Sequence, residues 1–394
     1  MATDLRRDIF RGMYNPVYRN PYASEKDDNP KNSHASFPPG WLSCIRLPRR
    51  QAIISFLNVL LLVVFIWHIP SLPGHSFLPV PVPHTNLTPQ KPDFTPPTTS
   101  TSAEDTRRRL LTLSKNLSKI AFPKKIWQTW KTIALPNDET FTRRQTWHAL
   151  NPTHEYDLLT DKSALDYVVN NFNATDPFIV HLYANFPQRI LAADLLRYLI
   201  AFKSGGVYSD IDTECKKPID TWVSQSIAHL PHVKQEDINI VVGMELDILD
   251  KTKYSDKWVI ESGFAQRIQF IQWTIYAKPG HEISRRMITS VQEKVREDIQ
   301  KSAGKCISGL KYSEREILDR TGPFGWTNAV MGYVNDIMGR EVGFEEYTGI
   351  KEGKVFGDVL FLPVNRWSPG VGHSDAGGDE TAFMIHHFGG SWRD

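Results

Sequence analysis

The sequence predicts an α/β domain with a mainly parallel sheet flanked by helices, held behind a single N-terminal transmembrane helix. Three observations carry this. From Phe122 onward, short apolar runs with strand character alternate with helical stretches. Residues 52–69 (AIISFLNVLLLVVFIWHI) are almost unbroken in their apolar character. No second run of that kind and no internal repeat follows.

At 394 residues the chain has room for one large catalytic domain plus appendages. The formal net charge of +2 gives no case for nucleic-acid binding. Three cysteines are too few for a disulfide-built scaffold. Cys44 precedes the apolar run; Cys215 and Cys306 follow it, and whether those two pair in an oxidising lumen stays open. The 11 tryptophans and 13 tyrosines suit stacking on sugars or bases, and a large core uses the same rings.

Residues 1–51 are polar and aperiodic, so a disordered cytosolic tail is expected. As a helix, 52–69 spans roughly 27 Å, enough for a bilayer core. It starts too late, and is too long, for a cleaved signal peptide. Arg46, Arg49 and Arg50 stand before it, and no Lys or Arg follows until Lys91. The positive-inside rule makes this a single-pass type II anchor with everything downstream in a lumen. Residues 70–119, rich in Pro, Ser and Thr, read as a luminal stem, with a basic amphipathic helix at 106–119. Sequons at Asn86, Asn116 and Asn173 agree with that side of the membrane.

The catalytic domain is expected at 120–394. Its first strand is 123–130, followed by a helix at 140–150 and a short strand at 156–159. Helices at 163–172 and 177–184 lead into 187–220, the stretch around which the domain is organised. Pro187 suits a first helical turn, and Gly205-Gly206 suits the helix end. Between 190 and 202 only Asp194 and Arg197 are charged; three apart, they share a face. The other faces are apolar, which implies burial on most sides. Residues 207–212 (VYSDID) read as a strand ending in two carboxylates, with Asp210 and Asp212 on one side and Ile211 on the other. Beyond lie strands at 238–243, within 264–277, at 359–363 and at 381–388. Helices fill 282–300 and the segment opened by Pro323.

No P-loop, dinucleotide-binding or serine-hydrolase glycine motif occurs. What the sequence offers is an acidic pair, an aromatic first strand and a His386-His387-Phe-Gly-Gly-Ser-Trp tail. Two hard oxygen ligands suit Mn²⁺ or Mg²⁺, and such a cation neutralises charge on a departing diphosphate. Imidazole suits Mn²⁺, so His386 or His387 would complete the set. Neighbours in a strand face opposite sides, so only one of the two can do so.

Four strings, PKKIWQTWK at 123–131, ADLLRY at 193–198, GGVYSDIDT at 205–213 and HFGGSW at 387–392, resemble glycosyltransferase family 32. The register of Asp194, Arg197, Tyr208, Asp210 and Asp212 is also similar to the donor site of the large clostridial glucosylating toxins. The resemblance implies a GT-A fold, Rossmann-like, and a retaining, metal-dependent transfer of mannose. The donor would be GDP-mannose and the acceptor a mannose of an N-glycan core on glycoproteins, starting an α-1,6 outer chain at the Golgi membrane. Mn²⁺ would be the cofactor, with Mg²⁺ as a substitute. Trp130 would lie against the base, Asp194 and Arg197 would bind donor-sugar hydroxyls, and Tyr208 would pack near the ribose. Asp210 and Asp212 would be the catalytic carboxylates. Asp212 would ligate the metal; Asp210 would bind ribose or sugar, or the metal through water. Ser391 and Trp392 would close over the diphosphate. A phosphate oxygen can serve as the base, so no protein nucleophile is named. Complexes with other Golgi transferases would be compatible with this reading. Two alternatives stay open: a relative that mannosylates inositol phosphoceramide or uses another sugar nucleotide, and an inactive luminal relative that binds glycans or scaffolds other transferases. Core packing is a second reading of Trp127 and Trp130, and at least as good an account of Trp326 as a place lining the acceptor site; a structural ion pair remains a second reading of Asp194 and Arg197.

Overall fold

The computed structural model describes residues 102–389 except 136, 263 and 265. The expected tail, membrane span and stem up to 101 lie outside the described residues, as do Asn86, Ser391 and Trp392. Among the described residues no helix is long and apolar enough to cross a membrane.

Helix α1 (Ala103–Leu117) starts at Ser102, whose hydroxyl accepts from the Asp105 N–H. Strand β1 (Lys125–Trp130), helix α2 (Asp138–Leu150) and strand β2 (Glu155–Thr160) come next. Helix α3 (Asp161–Phe172) follows at once, because Thr160 and Ser163 form a reciprocal capping box. Helix α4 (Pro177–Asn185) carries proline in its first turn, where no N–H is missed. Helix α5 (Arg189–Lys203) leads to strands β3 (Gly206–Ser209) and β4 (Thr213–Cys215). Then come α6 (Trp222–Ile227), β5 (Ile240–Asp247), α7 (Asp256–Glu261), β6 (Ile268–Phe270) and β7 (Thr274–Ala277). The chain ends with α8 (Glu282–Lys301), α9 (Glu314–Arg320), α10 (Pro323–Met338), β8 (Lys354–Phe356), β9 (Val359–Leu362), α11 (Val364–Trp367) and β10 (Met384–His386).

The main sheet has the order β2-β1-β3-β7-β5-β9-β8, with β6 paired to β5. Strands β1, β2, β3, β5 and β9 run one way; β6, β7 and β8 run the other. The expected α/β class with a mainly parallel sheet is therefore observed, with β7 inserted antiparallel between β3 and β5. Successive strand residues feed two cores. Ile240 and Val242 pack with Tyr208 and helix α5 on one face, and Val241 packs with Val207, Trp147 and Trp222 on the other. Both faces are covered, which explains why these strands read as continuous apolar runs rather than alternating ones.

The order β2-β1-β3 reverses direction across the sheet at β1. In α/β sheets such a switch point opens a crevice at the carboxyl ends of the strands. Two glycines fix the chain that enters it. Gly205 and Gly206 both have positive φ, 65° and 85°. A Cβ on Gly206 would sit 2.4 Å from the Lys125 carbonyl oxygen, so β1 and β3 approach closely only because that atom is missing.

Several elements differ from the sequence reading. Helix α5 begins at Arg189 behind the N-cap Gln188, so Pro187 lies before the helix rather than in its first turn. Strand β3 stops at Ser209. Asp210 to Asp212 form a tight turn, in which the Thr213 N–H donates to the Asp210 carbonyl at 3.2 Å. The acidic pair is therefore brought together by a turn, not by strand alternation. Beyond it the chain joins β4, which pairs antiparallel with β10 in a separate two-stranded sheet. The expected final strand at 381–388 is only this short piece. Helix α1 is part of the folded body: Leu110 is fully buried, and Arg107 Nε donates to the Ile337 carbonyl at 3.2 Å. Cys215 is a free buried thiol, so it makes no disulfide with Cys306.

Candidate active site

Helix α5 is buried along most of its length, and its two buried charged residues, Asp194 and Arg197, line the crevice. Asp194 and Arg197 lie 3.0 Å apart with side chains 3% and 4% exposed. Thr321, just before α10, donates to the second Asp194 oxygen at 2.9 Å. Arg197 also reaches Asp210 at 3.3 Å and donates to Gln272 Oε1. Tyr208, the third residue of β3, donates to Asp210 Oδ1 at 2.8 Å. The Arg197 guanidinium lies 5.5 Å from the centre of the Tyr208 ring. One cation thus stands between the buried Asp194 carboxylate and the half-buried Asp210 carboxylate, and two neutral groups fix the geometry.

The turn itself is held from its backbone. Gln128 Nε2 donates to the Asp210 carbonyl at 3.0 Å, and the Asp210 N–H donates to the Trp273 carbonyl at 2.9 Å. The C-terminal strand then arrives beside it, with His386 paired to Thr213 across β10 and β4. His386 Nε2 lies 3.2 Å from Asp212 Oδ1. The Gly389 N–H donates to the other Asp212 oxygen at 2.7 Å, and the His387 N–H donates to the Asp212 carbonyl at 3.0 Å. The His386 ring stacks on Trp273 with centroids 4.3 Å apart and an 11° tilt. His387 is not in this cluster; its Nε2 meets Glu214 at 3.1 Å.

The charges perturb one another. Burial pushes the Asp194 carboxyl up to about 6, against the opposing pull of Arg197. Burial works against a charge on Arg197, yet Asp210 and Asp194 hold it well above its ordinary value. Burial also raises Asp210, with Arg197 opposing. Asp212 goes the other way. Burial would raise it, but the charge on His386 and the hydrogen bonds from His386 and Gly389 bring it below the usual carboxylate range. In return Asp212 raises His386 despite that residue's burial.

Carboxylate oxygens of Asp210 and Asp212 and a ring nitrogen of His386 lie within 4.8 Å of one another. His386 Nδ1 is buried without a hydrogen-bond partner. Asp212 favours the protonated form of the His386 ring, and Arg197 is the cation beside Asp210. A divalent cation would replace that proton and meet two hard oxygens and one imidazole, a donor set suited to Mn²⁺. The residues present fit the group.

Asp194, Arg197, Tyr208, Asp210, Asp212 and His386 line one cleft of about 790 Å³. Trp130, the last residue of β1, lines the same cleft with Lys131, whose ammonium is 5.7 Å from the indole centre. Trp127 is not in the cleft: it is buried and donates to the Gly205 carbonyl at 3.0 Å. Trp326 is core as well, fully buried and stacked on Tyr198 at 5.3 Å. The structure thus brings Trp130, Asp194, Arg197, Tyr208, Asp210, Asp212 and His386 to one place. It also adds Glu245, Gln272, Trp273, Thr321 and Phe388, which sequence reasoning missed. Gln272 had a signal, being a polar residue between apolar Ile271 and Trp273; the others had none.

The family described as "Glycosyltransferase sugar-binding region containing DXD motif" matches residues 137–228, which span α2 to the turn and just beyond. The initiation-specific alpha-1,6-mannosyltransferase of Candida albicans is 35% identical over 292 residues, 69% of this chain and 72% of that protein. This chain belongs to the DXD glycosyltransferases. The transferase is similar over the same share, 69%, to a protein of that name from Schizosaccharomyces pombe, at 34% identity and 64% of that protein's length. An inositol phosphoceramide mannosyltransferase of the same yeast is 35% identical, but over 25% of the transferase only.

Proposed function

We propose that the transferase moves mannose from GDP-mannose to a mannose of an N-glycan core, with retention at the transferred carbon, and so begins an α-1,6 outer chain. One observation carries the reading. The Asp194–Arg197 pair and the Asp210–Asp212–His386 cluster meet in one cleft, in a chain 35% identical to a protein named for that reaction. The likeness to the named inositol phosphoceramide mannosyltransferase spans only 25% of the chain, which favours the N-glycan acceptor over the lipid. We read the fold as GT-A type on the same grounds.

In this reading Asp194 and Arg197 bind hydroxyls of the donor sugar. Being paired at 3.0 Å and buried, they are rigid before the donor arrives, so little ordering cost falls on binding. Trp130, in the cleft wall, offers an apolar face to the base. Tyr208 holds Asp210 in place and stands next to the ribose. Mn²⁺, with Mg²⁺ as substitute, held by Asp210, Asp212 and His386, would neutralise charge on the departing diphosphate. Asp212 is already ionised at any physiological pH, because His386 and the Gly389 N–H depress its pKa. No carboxylate stands in the cleft with an assigned role as nucleophile, and the retaining step uses a donor phosphate oxygen as base. We place the enzyme in the Golgi membrane, single-pass and type II, on the strength of the apolar run at 52–69 and the arginines before it.

The test is turnover by the full chain in detergent micelles, with GDP-mannose, UDP-galactose and UDP-glucose, each with and without Mn²⁺. A high-mannose glycan serves as acceptor, and the product linkage is read by NMR. Mannose transfer from GDP-mannose alone, dependent on Mn²⁺ and giving an α-1,6 bond, is the expected result. A preference for either UDP-sugar would overturn the donor assignment, and no turnover of any donor would overturn the enzymatic reading of the site.

A further inference from the structure

We propose that Glu245 is the acceptor-side carboxylate of the cleft: it accepts a hydrogen bond from a hydroxyl of the incoming sugar and orients that sugar for attack. This rests on the sugar-transfer reading given above.

Glu245 lies on β5, where the ladder to β6 shifts register between Met244 and Leu246. The residue therefore occupies a β-bulge. Bulges re-aim a side chain, and they recur beside active sites. Here the bulge turns a carboxylate into the cleft wall, where the residue is 8% exposed.

The partners of this carboxylate are neutral. Gln269 Nε2 donates to one oxygen at 2.7 Å, and Trp273 Nε1 lies 3.3 Å from the other. Each carboxylate oxygen carries two lone-pair sites, so each can accept one more donor. Among the described residues no Lys or Arg is within salt-bridge distance of it, whereas Asp194 and Asp210 both have Arg197. A buried acid held only by neutral donors is expensive to maintain. Both neighbours are N–H donors, so the two carboxylate oxygens accept one bond each and keep a lone-pair site each turned to further donors, whereas a glutamine offers a single acceptor oxygen.

Its place in the sheet assigns the side. The order is β1-β3-β7-β5. A donor with its base at Trp130, the last residue of β1, and its diphosphate at the turn after β3 occupies the β1–β3 part of the crevice. Adjacent strands are spaced by about 4.8 Å, so β5 lies roughly 10 Å beyond β3, away from the base. That is space for a sugar ring next to the donor sugar. Trp273, one of the two groups that fix Glu245, also stacks under His386. Glu245 thus borders the diphosphate end of the cleft without touching the donor residues.

The experiment separates donor chemistry from acceptor chemistry. GDP-mannose hydrolysis without acceptor and transfer to methyl α-mannoside are measured for the full chain in micelles, as wild type, Glu245→Gln and Glu245→Asp. Mn²⁺-dependent GDP binding is measured alongside. Loss of a charge-assisted hydrogen bond predicts that kcat/KM for the acceptor falls about 10- to 100-fold, chiefly through KM. Hydrolysis and GDP binding should stay within about twofold of wild type, the range expected of a group that the donor does not meet. Glu245→Asp, which keeps the charge but withdraws it by one methylene, should show the same split, and it decides the matter if Glu245→Gln does not fold. If hydrolysis, GDP binding and transfer fall together, Glu245 acts through Trp273 on His386, and the proposal is overturned. Unchanged transfer overturns it as well, while leaving the sugar-transfer reading intact. A wild-type chain inert towards every donor overturns both.

Discussion

Asp194 should hold the enzyme's function at the expense of its stability, and Asp194→Asn separates the two. The ordinary carboxyl value is 3.8, and in the folded protein it is pushed up to about 6. A folded pKa above the unfolded one means that the folded state holds its proton more tightly. The associated stability is full below pH 3.8 and is lost as the pH rises through about 6. The gap corresponds to a penalty of ~3 kcal/mol at neutral pH. The side chain is 3% exposed, so solvent screening reduces this little. At pH 5 roughly half of the penalty remains, so it grows by about 1 kcal/mol between pH 5 and pH 7.5. The amide of the variant cannot ionise and carries no such term. The pull of Arg197 is already contained in that value of about 6, and exchange of the protonated acid for the amide adds only an offset that does not vary with pH. Denaturant unfolding of both proteins at pH 5 and pH 7.5 should show the variant gaining about 1 kcal/mol on the wild type as pH rises. Turnover should meanwhile fall about 10- to 100-fold, the loss expected for one charge-assisted bond to substrate. A stability difference independent of pH would refute the burial argument.

Gly206→Ala should be destabilising by ~2 kcal/mol or more, read as a lower melting temperature, because φ is 85° and the new Cβ meets the Lys125 carbonyl at 2.4 Å. Asp212→Ala should lower turnover by about a thousandfold and make GDP binding insensitive to Mn²⁺ in calorimetry. Iodoacetamide at pH 8 should leave Cys215 unmodified in the native protein and label it after unfolding, as read by mass spectrometry, because burial pushes the thiol up to about 12.

Much of the site was legible because it is local in sequence. Asp194, Arg197, Tyr208, Asp210 and Asp212 lie within one helix–strand–turn unit, and the spacing of Asp194 and Arg197 alone predicts their ion pair. The turn was misread as strand because Val207 to Asp212 alternates as a strand would, and only the hydrogen bonds at Asp210 reveal where the ladder stops. Between His386 and His387, strand alternation says only that they differ. It takes the pairing of β10 with β4 to send His386 to Asp212 and His387 to Glu214. Trp127 and Trp130 show the same limit. Three residues apart on β1, they fall on opposite faces, and burial then separates core from cleft. Glu245 could not be found at all, since a bulge has no signature in an apolar run.

The central claim is that Asp210, Asp212 and His386 hold one divalent cation against the donor's diphosphate. Pulsed electron paramagnetic resonance on the full chain loaded with Mn²⁺ and GDP tests it most directly. The account predicts one bound Mn²⁺ with coupling to an imidazole nitrogen. That coupling should be lost in His386→Ala and kept in His387→Ala. Coupling that survives His386→Ala, or Mn²⁺ that binds equally well to Asp212→Ala, would contradict it.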